Sequence, residues 1–226
     1  MEGDPGEVAG YSITLTFDGA GMAVGSVKAA ESEQLRNAGI VAVYGLDDIV
    51  EGTAWRQRDE IFGEVKGILD GSSVATSRDG SILVIGGRGI SSHCRIFQRN
   101  IDQFELLHTM RERTKRERLG SSAAVSEDGN IVACGGIGAR KEDDDHDSSS
   151  SSSTGVVRLF NRSSLLEEEI WPTDLPGRES SFGSSLSLSS DGSIVSVGAS
   201  SWKGLNGNSP GAVHVFYNKA LQYSTR

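Results

Sequence analysis

One stretch of the sequence carries enough ligand-type side chains to suggest a metal site. Four aspartates and a histidine lie within residues 143–147, and six serines follow directly. Carboxylate oxygens and imidazoles of this kind bind divalent cations. A contiguous run without glycine does not wrap its side chains around one ion, and such composition is typical of a solvated loop. The sequence therefore predicts no metal site and no cofactor here, and it leaves the calcium dependence of residues 141–147 open.

Two glycine-rich segments could cradle a phosphate, namely VIGGRGISS (84–92) and ACGGIGARKE (133–142). A phosphate site of that kind requires a helix N-terminus directly after the glycines. A strand-like segment follows the first and the acidic serine tract follows the second, so both glycine pairs are interpreted as structural. The four histidines do not recur at one repeat position, and the abundant serines single out no nucleophile. We expect a protein without catalytic residues, whose ligand-binding residues the sequence does not name.

Composition narrows the class of partner. The net charge of −9 gives no basic surplus to neutralise phosphates, which argues against a nucleic-acid partner. No run approaches the length of an apolar membrane span, so we expect no membrane insertion by this segment. The first ten residues, MEGDPGEVAG, do not form a signal peptide. Cys94 and Cys134 offer neither a disulfide framework nor metal-ligand spacing, and they leave the compartment open.

The glycines mark a repeat that occurs four times. In each copy an opening glycine is followed two residues later by serine, eight residues later by Asp-Gly, and fifteen residues later by a further glycine. The four copies begin at Gly10, Gly71, Gly120 and Gly183. The residues between these landmarks predict a strand a, an Asp-Gly hairpin that we expect to turn in two residues, and a mostly apolar strand b. A strand b of this kind is expected to be covered on both faces.

A third shared segment follows a loop of variable length in every copy. It reads GIVAVY (39–44), SHCRIF (92–97), GVVRLF (155–160) and GAVHVF (211–216), and its alternation predicts a strand c. The patches TAWRQ, FELLH and EEIW, which follow the first three of these segments, predict a strand d. In the fourth copy the corresponding tryptophan would fall at position 227.

Four-stranded units in tandem predict an all-β fold, a β-propeller-type array of four four-stranded blades. We expect one domain over residues 1–226, with repeats at approximately 10–70, 71–119, 120–182 and 183–226 and a truncated last blade. Residues 1–9 offer no strand to complete it, which predicts an incomplete or open array whose unpaired edges self-associate. Two β-sandwich domains are the alternative fold, although they would not require the same offsets four times.

The repeat resembles the FG-GAP repeats of integrin-α-like propellers. The resemblance rests on Phe182-Gly183, on SSDG (189–192), on Gly198-Ala199 and on GAVHVF, with partial matches in the other three copies. It implies an extracellular or cell-surface adhesion module. Propellers of that family carry a calcium loop in the a-to-b hairpin. Here the hairpins TFDGAG, SRDGSI, SEDGNI and SSDGSI offer one or two carboxylates each, too few for calcium.

These observations predict a non-catalytic recognition module that binds a protein or glycan ligand through its b-to-c loops at 26–38, 137–154 and 199–210. Two alternatives are kept, an intracellular WD-like scaffold and a propeller enzyme such as a glycosidase, whose paired acids would gather at the central funnel. The charged segment RERTKRER (111–118) is interpreted as a solvated, self-neutralising loop.

Overall fold

The computed structural model describes residues 8–29, 32–49, 52–101, 103–140, 153–172, 180–203 and 210–217. These residues form fifteen strands and one short 3-10 turn, Glu33–Leu35. The first sheet contains β1 (Ala9–Leu15), β2 (Gly21–Ser26), β3 (Ile40–Ile49) and β4 (Gly52–Phe62). The second contains β5 (Asp70–Thr76), β6 (Ile82–Gly87), β7 (His93–Asn100) and β8 (Gln103–Arg111).

The third and fourth sheets follow the same plan. The third contains β9 (Leu119–Val125), β10 (Ile131–Gly136), β11 (Val156–Asn161) and β12 (Leu166–Ile170). The fourth contains β13 (Phe182–Leu188), β14 (Ile194–Ala199) and β15 (Ala212–Tyr217). In every sheet the strands lie in chain order and pair antiparallel, so each sheet is a meander blade. The all-β, propeller-type array is thus confirmed, as are the predicted d strands of the first three blades.

The blades stack face to face through three apolar clusters, one at each junction. The cluster between the first two blades joins Ala23, Val41 and Ile61 to Val74, Leu83 and Phe97. The next joins Val84, Cys94 and Ile96 to Leu119, Val132 and Phe160. The third joins Ala133, Val157 and Leu159 to Phe182, Val195 and Val197. Neighbouring residues along a strand therefore serve opposite junctions, because side chains alternate across a strand.

The burial of the b strands differs between blades that have a neighbour on both faces and blades that have one on a single face. Every residue of β6 and of β10 is buried, as expected for strands covered on both faces. In β2 and β14 burial alternates along the strand, because the first and fourth blades each have one uncovered face. Among the described residues the first and fourth blades do not pack against each other, so the array is open.

The two ends of the blades carry different connections between strands. We call the end that carries the four a-to-b hairpins the hairpin end. The opposite end, the loop end, carries the b-to-c loops together with the linkers that connect each d strand to the next a strand. Every candidate recognition surface lies at one of these two ends.

Candidate functional site

The a-to-b hairpins at the hairpin end share one hydrogen-bond pattern built from Ser/Thr-x-Asp-Gly. In the second blade the Ser77 hydroxyl donates to Asp79 Oδ1 at 2.8 Å, and the Ser81 N–H donates to the same oxygen at 2.9 Å. The Ile82 N–H in turn donates to Ser77 Oγ at 3.0 Å. Because Ser77 N–H also bonds to the Ile82 carbonyl, four residues lie between the paired positions. The expected two-residue turn is therefore wrong, while the role of Gly80, which adopts φ +69°, is as expected.

These hydrogen bonds lower the pKa of three of the hairpin aspartates, Asp18, Asp79 and Asp191. The Ser189 hydroxyl, with the N–H and hydroxyl of Ser193, lowers the pKa of Asp191 to about 2. The Thr16 hydroxyl and the Ala20 N–H lower the pKa of Asp18 in the same way. Burial raises the pKa of Asp79, but its bonds to Ser81 and Ser77 outweigh that effect and leave it lowered. One oxygen of each carboxylate is thus committed to the turn.

Backbone hydrogen bonds join the four hairpins across the blades. The residue between Ser/Thr and Asp donates its N–H to the carbonyl of its counterpart in the next blade. The three bonds are Phe17 to Arg78 (3.0 Å), Arg78 to Glu127 (3.0 Å) and Glu127 to Ser190 (2.9 Å). Side-chain contacts strengthen the first two of these connections. The Arg78 guanidinium lies 3.5 Å from the centre of the Phe17 ring on one side, and its Nη1 lies 2.8 Å from Glu127 Oε2 on the other.

A cleft of about 650 Å³ opens at the hairpin end between the first and second blades. Its position follows from a single departure in the repeat, because Gly21 occupies the place of Ile82, Ile131 and Ile194 in the other copies. Ile82 and Ile131 are buried beside the hairpin of the following blade. Without that side chain, space remains between the first two blades. Its lining includes Tyr44, Phe104, Arg58, Arg99 and Asp18.

At the loop end the b-to-c loops of the last three blades rest on a shared base. A residue near the start of each loop donates its N–H to the linker that precedes the blade. The three bonds are Gly89 to Ile68 (2.8 Å), Gly138 to Glu117 (2.8 Å) and Ser201 to Ser180 (3.1 Å). The loop of the first blade is bonded near its C-terminal end instead. There the carbonyl of Asn37 accepts a hydrogen bond, at 3.2 Å, from the N–H of Leu69 in the linker that follows this blade. The loops of the last three blades, although they differ in length, are therefore fixed at equivalent points, and the loop of the first blade is fixed at a different one.

A buried charged cluster supports this base between the first two blades. Asp70, which is the first residue of β5 and lies where the linker ends, accepts from Arg95 Nη2 at 2.5 Å and lies 2.8 Å from His93 Nε2. Arg95 also donates to the carbonyl of Phe62, the last residue of the preceding d strand, at 2.9 Å. All three charged or titratable side chains are almost fully buried. Linker, c strand and preceding d strand are thus fixed to one another.

The next junction repeats this cluster with different acids. Arg158 donates two hydrogen bonds. Its Nη2 donates to Glu117 Oε2 at 3.0 Å, and its Nη1 donates to the carbonyl of Arg111 at 3.3 Å. Arg158 Nε also lies 2.9 Å from Glu117 Oε1, though outside hydrogen-bond geometry. Glu117 is fully buried, so the interpretation of 111–118 as a solvated loop is wrong at this residue. Its carboxylate is drawn inward by Arg158 and by the N–H groups of Arg113 and Thr114.

The two cysteines, to which the sequence assigned no disulfide, are bonded to each other. Cys94 in β7 and Cys134 in β10 form a disulfide with a Cα–Cα distance of 6.5 Å. Both are fully buried and belong to the apolar cluster between the second and third blades. Their facing positions become visible only once the blades are stacked, so spacing along the chain gave no signal.

Several sequence predictions fall outside the described residues. These include residues 141–152 of the acidic serine tract, residues 204–209 of the last predicted loop and the residues after Tyr217. Within the described part of the chain, no group of three His, Cys, Asp or Glu side chains is placed to hold a metal ion. No helix among those residues has the length and apolar character to cross a membrane.

Comparison with protein-family models and with curated proteins gives no match to this chain.

Proposed function

We propose that this chain is a non-catalytic recognition module, an FG-GAP-like propeller array of the cell-adhesion type. It binds a protein or glycan ligand through the b-to-c loops at the loop end. The observation that carries the proposal is the shared base of the b-to-c loops in the last three blades, in which equivalent backbone bonds hold loops of unequal length. Recognition commonly resides in loops that a rigid scaffold positions.

The buried charged clusters support the same assignment. Asp70 with Arg95, and Glu117 with Arg158, tie the first two of the three linkers to the blades on both sides at the loop end. The presence of a buried ion pair is weak evidence for net stability, and we interpret these two pairs as fixing the geometry of the junctions. They limit variation to the loops themselves, which suits a binding surface.

The disulfide supports an extracellular or cell-surface location over the intracellular scaffold alternative. Cys94–Cys134 crosses a blade junction and is buried on both sides. Structural disulfides persist in oxidising compartments and are rare in the cytosol.

The hairpin carboxylates support a non-catalytic role over the glycosidase alternative. A glycosidase needs a general acid whose pKa is raised and a second carboxylate nearby. The shifts at Asp18, Asp79 and Asp191 run in the opposite direction, toward a lower pKa.

A binding screen with loop variants tests the proposal. The full chain is applied to a glycan array and to immobilised collagen, fibronectin and laminin, and any ligand found is measured again with variants. We expect binding to fall at least about tenfold when residues 141–152 are replaced by a short Gly-Ser linker or when Glu33, Gln34 and Arg36 are changed to alanine. The melting temperature should stay unchanged.

Arg99→Ala in the hairpin-end cleft is the matched control, because Arg99 is exposed and lies at the opposite end of the blades. A ligand that every loop variant retains and that Arg99→Ala loses would contradict the proposal. Turnover of chromogenic glycosides by the unmodified chain would contradict its non-catalytic part.

A further inference from the structure

The three internal blade junctions are built from the same directed contacts. The serine of each a strand donates its hydroxyl to the carbonyl of the opening glycine in the next blade. The bonds are Ser12 to Gly71 (2.7 Å), Ser73 to Gly120 (2.9 Å) and Ser122 to Gly183 (2.6 Å). The hairpin N–H groups donate in the same direction. Each blade therefore has a donor face, toward the next blade, and an acceptor face, toward the preceding one.

The described residues leave the donor face of the fourth blade uncovered. Val213 and Val215 of β15 are 75% and 59% exposed, whereas their counterparts Cys94 and Ile96 in the second blade are fully buried at a junction. The hydroxyl of Ser185, which would be the donor, has no hydrogen-bond partner among the described residues. A hollow of about 480 Å³ lies beside Ser185 and Gly198, where the internal junctions hold the opening glycine of the next blade.

The acceptor face of the first blade is also uncovered and keeps the shape of an internal one. Gly10 has φ +79°, close to the +82° of Gly71, +84° of Gly120 and +88° of Gly183. A Cβ atom on any of those three would lie within about 3 Å of a glycine backbone in the preceding blade, whereas nothing lies within 4 Å of the Cβ position of Gly10. On the same face Ile13 is 60% exposed, although its counterpart Val74 is only 9% exposed.

We propose that the donor face of the fourth blade binds the acceptor face of the first blade in a second copy of this chain. In that junction the Ser185 hydroxyl donates to the Gly10 carbonyl, and Val213 and Val215 pack on Ile13 and Leu15. Two such contacts related by a two-fold axis would close a ring of eight blades, at the upper end of the usual range of 4–8.

The residues of the first c strand favour a partner that is not covalently linked. At the first two internal junctions the c strand of the following blade carries an arginine, Arg95 or Arg158, which is neutralised by an acid of the connecting linker. The first blade has Ala42 at this position. A second copy, which brings no linker, can therefore cover this face without burying an unpaired charge.

Single charges on the two faces test the proposal in the full chain. Because Ile13 and Val215 are exposed, Ile13→Glu and Val215→Lys should fold, and circular dichroism with thermal melting checks this. Light scattering and sedimentation, from about 1 to about 100 µM, should give twice the chain mass of 24.0 kDa for the unmodified chain. Each single variant should remain a monomer. An equimolar mixture of the two should recover the dimer, because the introduced lysine of one copy then meets the introduced glutamate of the other.

A milder substitution adds a readout that does not depend on burying charge. Ser185→Ala should raise the dimer dissociation constant several-fold and leave the melting temperature of the monomeric Ile13→Glu background unchanged, because the only partner of this hydroxyl in the proposal is on the other copy.

Three outcomes would overturn the proposal. One is an unmodified chain that stays monomeric throughout the concentration range, which would reserve both faces for other occupants such as further blades of a longer protein. Another is association that Val215→Lys abolishes and Ile13→Glu leaves intact, which would indicate pairing of two donor faces. The third is a mixture of the two charged variants that stays monomeric.

Discussion

At the scale of single residues, the clearest structural role belongs to the arginines of the c strands. Arg95 and Arg158 occupy the same repeat position, and each one joins a linker acid to a carbonyl of the preceding d strand. Removal of one member of such a pair leaves an uncompensated charge in a buried site, which is far more costly than loss of an exposed pair.

Glu117→Gln should therefore reduce the free energy of unfolding by about 2 kcal/mol or more, because it removes the buried counter-charge of Arg158 and leaves only the partly exposed Glu169, whose Oε1 lies 3.4 Å from Arg158 Nη2. Glu127→Gln is the matched control, since Glu127 pairs with Arg78 at the surface, and it should cost less than about 1 kcal/mol. Urea titration monitored by tryptophan fluorescence measures both. Equal losses for the two variants would contradict the assignment of Glu117 to the buried cluster.

At this scale the sequence predicted the positions of the hairpins, but it predicted neither their four-residue turns nor the buried ion pairs. The Ser/Thr-x-Asp-Gly pattern is local, so its hydrogen bonds follow from neighbours in the chain. The acids that meet Arg95 and Arg158 stand at different distances from the opening glycine, one residue before it for Asp70 and three residues before it for Glu117. A glutamate within RERTKRER resembles a surface residue until its partner, forty-one positions further along, is placed beside it.

At the scale of strands and blades, small residues decide how closely the sheets approach. A Cβ atom on Gly86 would lie 2.3 Å from the Gly120 carbonyl oxygen, and one on Gly135 would lie 2.1 Å from that of Gly183. A structural role for these glycines was expected from the repeat, because the glycine recurs at the same offset in every copy. The difference in burial between the inner and outer b strands was not expected, because it depends on which blades have a neighbour on each side.

Gly135→Ala should reduce the free energy of unfolding by about 2 kcal/mol or more, because its methyl group meets backbone that belongs to the next blade. Gly198→Ala should cost less than about 1 kcal/mol, since the nearest atom to its Cβ is the hydroxyl of Ser185, an exposed side chain that can rotate away. Denaturant titration of the two variants in the monomeric Ile13→Glu background gives the comparison. Similar losses at both positions would argue against the inter-blade contact.

At the scale of the whole molecule, the chain is a directional stack of blades with an uncovered donor face at one end and an uncovered acceptor face at the other. Repeat arrays of this type depend on contacts between neighbours, so the junctions carry the architecture. The repeat offsets predicted four blades and their order. They did not predict the disulfide, because Cys94 and Cys134 lie at different repeat positions, in a c strand and a b strand, and come together only when two blades stack.

The disulfide provides the most direct test of the stacked arrangement. We would digest the folded, unreduced chain and identify the linked peptides by mass spectrometry. The structure predicts one peptide pair joined through Cys94 and Cys134 within a single chain, and no thiol that reacts with an alkylating reagent before reduction. Two alkylated cysteines in the folded protein, or a cross-link found only between different chains, would contradict the packing of the second blade on the third.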